Sequence, residues 1–344
     1  MPTMRDVAHL AGVSTATVSR VLNNHQHISE DTRSKVISAI EQLDYQLNRV
    51  ARRLRMERTQ ILGLIISDIA NPFFTSVVRG IEDVAYENEY SLLLCNSDEH
   101  PAKEELYIRV LMGEKVAGVI ISPTDENSTA AKALIESRIP VVAMDRRLCH
   151  LDVDTVIVDN VQGAYDAVAH LIRLGHCRIA LIGGPVQITT ARERQEGYEK
   201  ALRNYGLPVD ETLVRVGDFK QDSGSCTAGE LLALDDPPTA IFAANNLMTL
   251  GALNAIHEKG LNIPRDVAIV GFDDMPWAPS LDPPLTTISQ PTYDMGRTTA
   301  DLLLKKIADN NRENVEIKLH PTLIVRRSCG LRVGKEVQTV VVQR

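Results

Sequence analysis

The 344-residue chain opens with no basic segment leading into an apolar stretch, and no apolar run approaches the roughly 20 residues of a membrane-spanning helix. The expectation is a cytoplasmic protein. Its five cysteines, Cys95, Cys149, Cys177, Cys226 and Cys329, are widely spaced, with no C-x-x-C pair and no metal-ligand spacing. They read as scattered reduced thiols. There is no G-x-S-x-G elbow, P-loop, G-x-G-x-x-G fingerprint or H-E-x-x-H helix, and the nine histidines form no cluster with carboxylates or cysteines. Neither an enzyme nor a resident metal or cofactor is expected. Internal repeats and low-complexity segments are also missing, and the tail 331–344 lacks the a/d heptad of a tetramerising coiled coil.

Net charge is −8 over the whole chain, which argues against nucleic acid until it is counted by region. The first 58 residues carry nine Lys/Arg against six Asp/Glu, a balance of +3, while the remainder stands at −11. A basic head on an acidic body confines phosphate attraction to one end.

That head reads as three helices. Thr3 stands three residues before Asp6 as a capping pair, and Met4, Val7, Ala8 and Ala11 follow at helical spacing. Gly12 ends this helix, Val13 is the buried turn residue, and Ser14 recaps a second helix from Thr15 to Leu22 with Val18 and Leu22 on one face. A third helix starts after Ser29, with Glu30 and Asp31 at its positive end and Val36, Ile37, Ala39, Ile40 and Leu43 as its packing stripe. This is a helix-turn-helix closed by a third helix. With the apolar residues needed inside, Thr15, Ala16, Thr17, Ser19, Arg20 and Asn23 face outward. Arg20 suits the O6/N7 edge of guanine, Ala16 and the Thr15 methyl suit a thymine methyl, and Ser19 and Asn23 suit phosphates.

Residues 4–23 (MRDVAHLAGVSTATVSRVLN) followed by 45–54 (YQLNRVARRL) resemble the DNA-binding head of the lactose-repressor/galactose-repressor family of bacterial transcriptional regulators, and the resemblance runs from about residue 3 to 330. It implies a division into a helix-turn-helix domain (1–47), a hinge helix and linker (48–59), a two-lobed effector-binding and dimerisation domain (60–330) and a tail (331–344). Asn48 caps a short stretch with Val50, Ala51 and Leu54 as an apolar stripe, too short to hold a helix alone. In the family two such helices pair in the minor groove, and a leucine, here Leu54, wedges between base pairs. Leu47 stands where the family usually has proline.

From residue 61 apolar strand-like runs alternate with amphipathic helical ones, at 61–66, 91–95, 116–121, 141–144, 155–158, 178–182, 240–243 and 267–271. That rhythm predicts an α/β body of two doubly wound parallel-sheet lobes, divided near 159–163, with the chain after Ile288 returning to the first lobe before 323–326 rejoins the second. A cleft should lie between the carboxyl ends of the strands.

The body resembles the family's effector domain, which shares its fold with periplasmic sugar-binding proteins. The motifs are 69–74 (IANPFF), 142–146 (VAMDR), Gly175–His176, Gly184–Pro185, 191–198 (ARERQEGY), 217–219 (GDF), 244–248 (ANNLM), 270–274 (VGFDD) and 284–291 (PLTTISQP). Asp145, Arg192, Asn245 and Asp273 are groups able to bracket vicinal hydroxyls, and Phe73 and Phe219 offer flat faces for a sugar ring. By resemblance Arg192, Phe219, Asn245 and Asp273 match sugar-contacting positions, and Ile188 stands where a purine-sensing member has its ligand arginine. The expectation is therefore a homodimeric repressor of operator DNA controlled by a carbohydrate. Two alternatives remain: a phosphoprotein co-repressor, disfavoured by Asp301 beside Arg297 on 293–304, and a transport-type sugar-binding protein, disfavoured by the head.

Overall fold

The computed structural model describes residues 2–22, 28–43 and 59–330, and divides into two compact units at Thr59 and Gln60. Asn23, Asn48, Val50, Ala51, Leu54 and the tail 331–344 lie outside the described residues.

The first unit holds α1 (Met4–Ala11), α2 (Thr15–Leu22) and α3 (Glu30–Gln42). At the start of α1 the Asp6 carboxylate accepts from both the backbone N–H and the hydroxyl of Thr3 at 2.7 Å. Gly12 ends the helix with φ +65°, a conformation that costs a side chain but not a glycine. Ser14 accepts from the Thr17 N–H at 3.1 Å, so α2 begins on a capped end with no extra loop. Val7, Val18 and Val36 are fully buried and make the centre of a small core to which Ala8, Val21 and Ala39 add. Two members of the expected packing set differ: Ile37 is exposed and Val13 only half-buried. Val36, Ala39 and Ile40 already occupy the inner face of α3 at helical spacing, which leaves position 37 on its outer face.

The second unit contains two six-stranded sheets. One has the order β11-β5-β4-β3-β1-β2 and is wholly parallel. It is built from β1 (Ile61–Ile66), β2 (Ser91–Asn96), β3 (Gly118–Ile121), β4 (Val141–Met144), β5 (Asp154–Val158) and β11 (Glu316–Leu319). The other has the order β12-β10-β9-β8-β6-β7, with only the β10–β12 pair antiparallel. Its strands are β6 (Ile179–Gly183), β7 (Val214–Val216), β8 (Ala240–Ala243), β9 (Ala268–Phe272), β10 (Thr286–Ser289) and β12 (Thr322–Ile324). The two doubly wound lobes are as expected. The central strands are apolar throughout because helices cover both their faces.

In the first lobe Leu62, Leu64 and Ile66 point to the side covered by α4 (Pro72–Glu87) and α11 (Thr292–Ala308). Ile65 points to the side of α5 (Pro101–Gly113) and α6 (Thr129–Glu136). The second lobe carries α7 (Asn160–Arg173), α8 (Thr189–Asn204), α9 (Gln221–Leu231) and α10 (Asn246–Glu258) around one large core. The chain crosses between lobes three times, after β5, after β10 and after β11.

Helices α4 and α11 touch through backbone: a Cβ at Gly296 would lie 2.1 Å from the Val77 carbonyl oxygen, and one at Gly80 would lie 2.3 Å from that of Tyr293. Carbonyl oxygens cannot rotate away as a side chain can. Gly296→Ala is accordingly expected to cost about 3 kcal/mol, read as a lowered denaturant midpoint at unchanged slope.

Candidate functional site

Two surfaces gather the residues singled out in the sequence. On α2, Thr15, Ala16 and Arg20 are exposed, as is Ser14, while Thr17 and Ser19 are half-buried at the margin of the core. The Ser14 and Thr17 hydroxyls share a hydrogen bond of 2.9 Å, and Thr3 is exposed at the start of α1. Among the described residues, no hydrogen bond or ion pair engages Arg20. A short helix with its valines inside and its hydroxyls, a methyl and a guanidinium outside is a shape and chemistry that enters a major groove.

The second surface is a cleft between the lobes of the second unit, with a void of about 460 Å³ that includes its part open to solvent. Every lining segment follows the carboxyl end of a strand, where an open sheet exposes loop backbone and side chains together. Asp68 and Asn71 follow β1, Glu99 follows β2, and Asp145 and Arg146 follow β4. Facing them, Thr190 and Arg194 lie at the start of α8, Phe219 and Lys220 follow β7, and Asn245 and Asp273 follow β8 and β9.

Four of these residues hold left-handed backbone: Glu99 at φ +58°, Asp145 at +67°, Phe219 at +67° and Asp273 at +76°. None is a glycine, and such positions concentrate where a fold fixes a side chain for use. The tip of the Phe219 ring comes up against Gly184, where a Cβ would sit 2.2 Å from its Cζ atom, so this glycine makes room for the ring. Asn245 lines the cleft and makes two hydrogen bonds: its carbonyl caps α10 by accepting from Met248 N–H at 2.8 Å, and its amide donates to the Phe219 carbonyl at 3.0 Å. It acts as a positioning residue for the ring. Phe73, nearly buried, meets Phe74 edge to face at 4.9 Å.

Asp145 and Asp273 are both buried. Desolvation raises the Asp145 pKa to about 6, against the pull of Arg146 and Arg194, and the Asp273 and Glu99 carboxylates push the same way as burial. Burial also raises Asp273, which accepts from the Gln290 amide and faces Arg194. The lobes are tied across the cleft by Lys220, whose ammonium lies 2.6 Å from Asp68 and 3.0 Å from Asp98, and by the Asn246 side-chain amide, which donates to the Asn71 side-chain oxygen at 2.7 Å.

Arg192 is the one expected effector residue that the structure places elsewhere. It stands outside the cleft lining, half-exposed, in a 2.8 Å ion pair with Glu126 of the other lobe. The lining arginine is Arg194, because Thr190 and Arg194 are one helical turn apart on the same face of α8 and position 192 points away from it. Arg146, Gln290 and Asn71 lay within the quoted motifs, yet nothing in the sequence separates them from their neighbours. Lys220, Glu99 and Asp68 come from loops whose meeting depends on the fold. Arg297, the basic position weighed for a phosphoprotein partner, is held by Glu87 at 3.3 Å.

The model for bacterial regulatory proteins of the lacI family matches residues 3–48, and that for periplasmic binding proteins and the sugar-binding domain of the LacI family matches 59–326. The HTH-type transcriptional repressor PurR of Photobacterium profundum is 34% identical over 329 residues, covering 95% of this chain and 98% of its own. A transcriptional regulator CelR–cellobiose complex superposes with a TM-score of 0.74 at 37% identity, over 95% of this chain and 100% of the other. The lac repressor dimer bound to operator and the anti-inducer ONPF gives a TM-score of 0.86 at 31% identity, over 95% and 99%.

Proposed function

The chain belongs to the lacI family of bacterial regulatory proteins, a DNA-binding transcriptional repressor under small-molecule control, and from that membership we propose that its effector is a carbohydrate. The observation that carries this reading is the meeting of Phe219, Asp145 and Asp273 in one cleft, each on strained backbone. An aromatic ring lining one cleft with two buried carboxylates is chemistry for a ring bearing vicinal hydroxyls. The relative solved with cellobiose is 37% identical over nearly the whole chain, which supports the same class. Ile188, buried at the start of α8, brings no polar group toward the ligand. Operator reading is assigned to the head, with Ser14, Thr15, Ala16, Thr17, Ser19 and Arg20 at the start of and along α2 and Thr3 at the start of α1, in a dimer on a pseudo-palindrome. Among the described residues no helix is long and apolar enough to cross a membrane.

The test is a thermal-shift screen of purified protein against sugars and nucleobases, followed by operator release with each hit. A ligand of the folded state at 100 times its Kd adds about 2.7 kcal/mol of stability. Failure of every sugar would remove the carbohydrate assignment.

The reading also fixes a pH dependence. Hydroxyl donors favour the ionised Asp145 carboxylate, so proton and ligand compete for it. Since its pKa stands at about 6 in the empty protein, effector affinity should be level above that value and weaken toward ten-fold per pH unit below it. Titrations from acid to neutral pH on wild type and Asp145→Asn check this. The variant should lose the slope.

A further inference from the structure

The cations around the cleft all have protein partners. Arg146 gives its two terminal nitrogens to Glu99 at 2.6 and 2.7 Å and one of them also to the Pro123 carbonyl at 3.1 Å. Arg194 donates to Asn160 at 2.9 Å and to the Ala244 carbonyl at 2.6 Å, with its guanidinium 3.9 Å from the centre of the Phe272 ring. Lys220 sits between two carboxylates. What remains unfilled is mainly of the opposite kind. Among the described residues nothing donates a hydrogen bond to the Asp145 carboxylate: its nearest cation atom, Arg146 Nε, stops 3.7 Å away. The buried Oε1 of Gln290 has no partner, although the same amide donates to Asp273. Four carboxylates line the cleft against three cations.

We propose that the effector is uncharged and enters chiefly as a hydrogen-bond donor, its hydroxyls shared among Asp145, Asp273 and the Gln290 oxygen, and that phosphorylated and carboxylated sugars are excluded. The skeleton rests on the carbohydrate reading above; the charge does not. A phosphate or carboxylate placed here would be desolvated beside two carboxylates, and of the lining cations only Arg146 Nε and one nitrogen of Arg194 are left to answer it. A hydroxyl meets the site on both sides, donating to a carboxylate and accepting from Arg146 Nε or the remaining nitrogen of Arg194.

The experiment is calorimetric titration of the full-length protein with matched compounds: glucose, ribose and cellobiose; glucose 6-phosphate, ribose 5-phosphate, gluconate and glucuronate; and adenine as an uncharged base. At least one neutral sugar should bind, and its charged counterpart should bind about 100-fold more weakly, as like-charge juxtaposition demands. In Asp145→Asn that ratio should narrow at least about ten-fold. A charged sugar binding as tightly as its neutral counterpart overturns the proposal while leaving the carbohydrate reading standing. Binding of adenine and of no sugar retires the carbohydrate reading and supports an uncharged effector. Should no uncharged compound bind, the proposal falls.

Discussion

Asp273→Asn is expected to lower effector affinity by about 10- to 150-fold, the equivalent of about 1.5–3 kcal/mol for hydrogen bonds to a charged group, and to raise the thermal midpoint of the same protein. The two effects have one cause. Asp273 is buried and its pKa is pushed up by desolvation, so the folded state carries a carboxylate that would rather be neutral. Its folded pKa lies above the unfolded value, hence the penalty is absent at low pH and grows as pH rises through that interval. Asparagine keeps the shape and the acceptor for the Gln290 amide, and removes the charge that the ligand's hydroxyls would answer. A variant that merely misfolds loses both affinity and stability. Here they move in opposite directions, which calorimetric titration and a melting curve on one preparation will show. Because ligand and operator are linked reciprocally, the effector's influence on operator affinity should fade at ligand concentrations that saturate wild type.

The largest effect belongs to Arg20→Ala. Loss of a bidentate guanine contact costs about 1–3 kcal/mol per half-site, so a two-fold symmetric operator should lose about 2–6 kcal/mol in total. The substitution should leave the head folded, since Arg20 is exposed and the core rests on Val7, Val18 and Val36. Binding-site selection separates base reading from phosphate attraction. The variant should relax preference at one position of each half-site; a preference unchanged at every position would remove Arg20 from base recognition.

Much of this was legible in the residue order. Caps such as Thr3 with Asp6, Gly12 and Ser14 act within one turn, so they fix helix ends without knowledge of the fold, and α1 begins and ends, and α2 begins, where those signals put them. The apolar runs likewise marked the central strands because these are covered on both faces. Edge strands gave weaker signals. The Val214–Val216 and Glu316–Leu319 strands are short, polar in part and defined by neighbours distant in sequence. Within the cleft, residue chemistry reached Asp145, and resemblance reached Phe219 and Asp273, which all line it. It chose Arg192 over Arg194 because the motif holds two arginines and only the phase of α8 against the sheet decides between them. Asn245 shows a further limit: residue chemistry marks it as a ligand contact, and only the fold shows that its amide also braces Phe219.

The triple crossing between lobes sets an order of events during translation. When β5 leaves the ribosome the first lobe still lacks the β11 strand that closes its edge and the α11 helix whose Leu302 and Leu303 complete its core. Asp154, fully buried in the finished fold, then has no Arg312 to pair with. At about 5–20 residues per second the roughly 160 residues separating these parts represent about 8–32 seconds of synthesis. Throughout that interval the nascent chain displays an unpaired strand edge and an uncovered apolar face, while strands β6 to β10 of the second lobe are made. The lobe that emerges first therefore waits for most of its neighbour before it can close, and its most aggregation-exposed interval coincides with the making of that neighbour, which is itself closed by β12 only a few residues later.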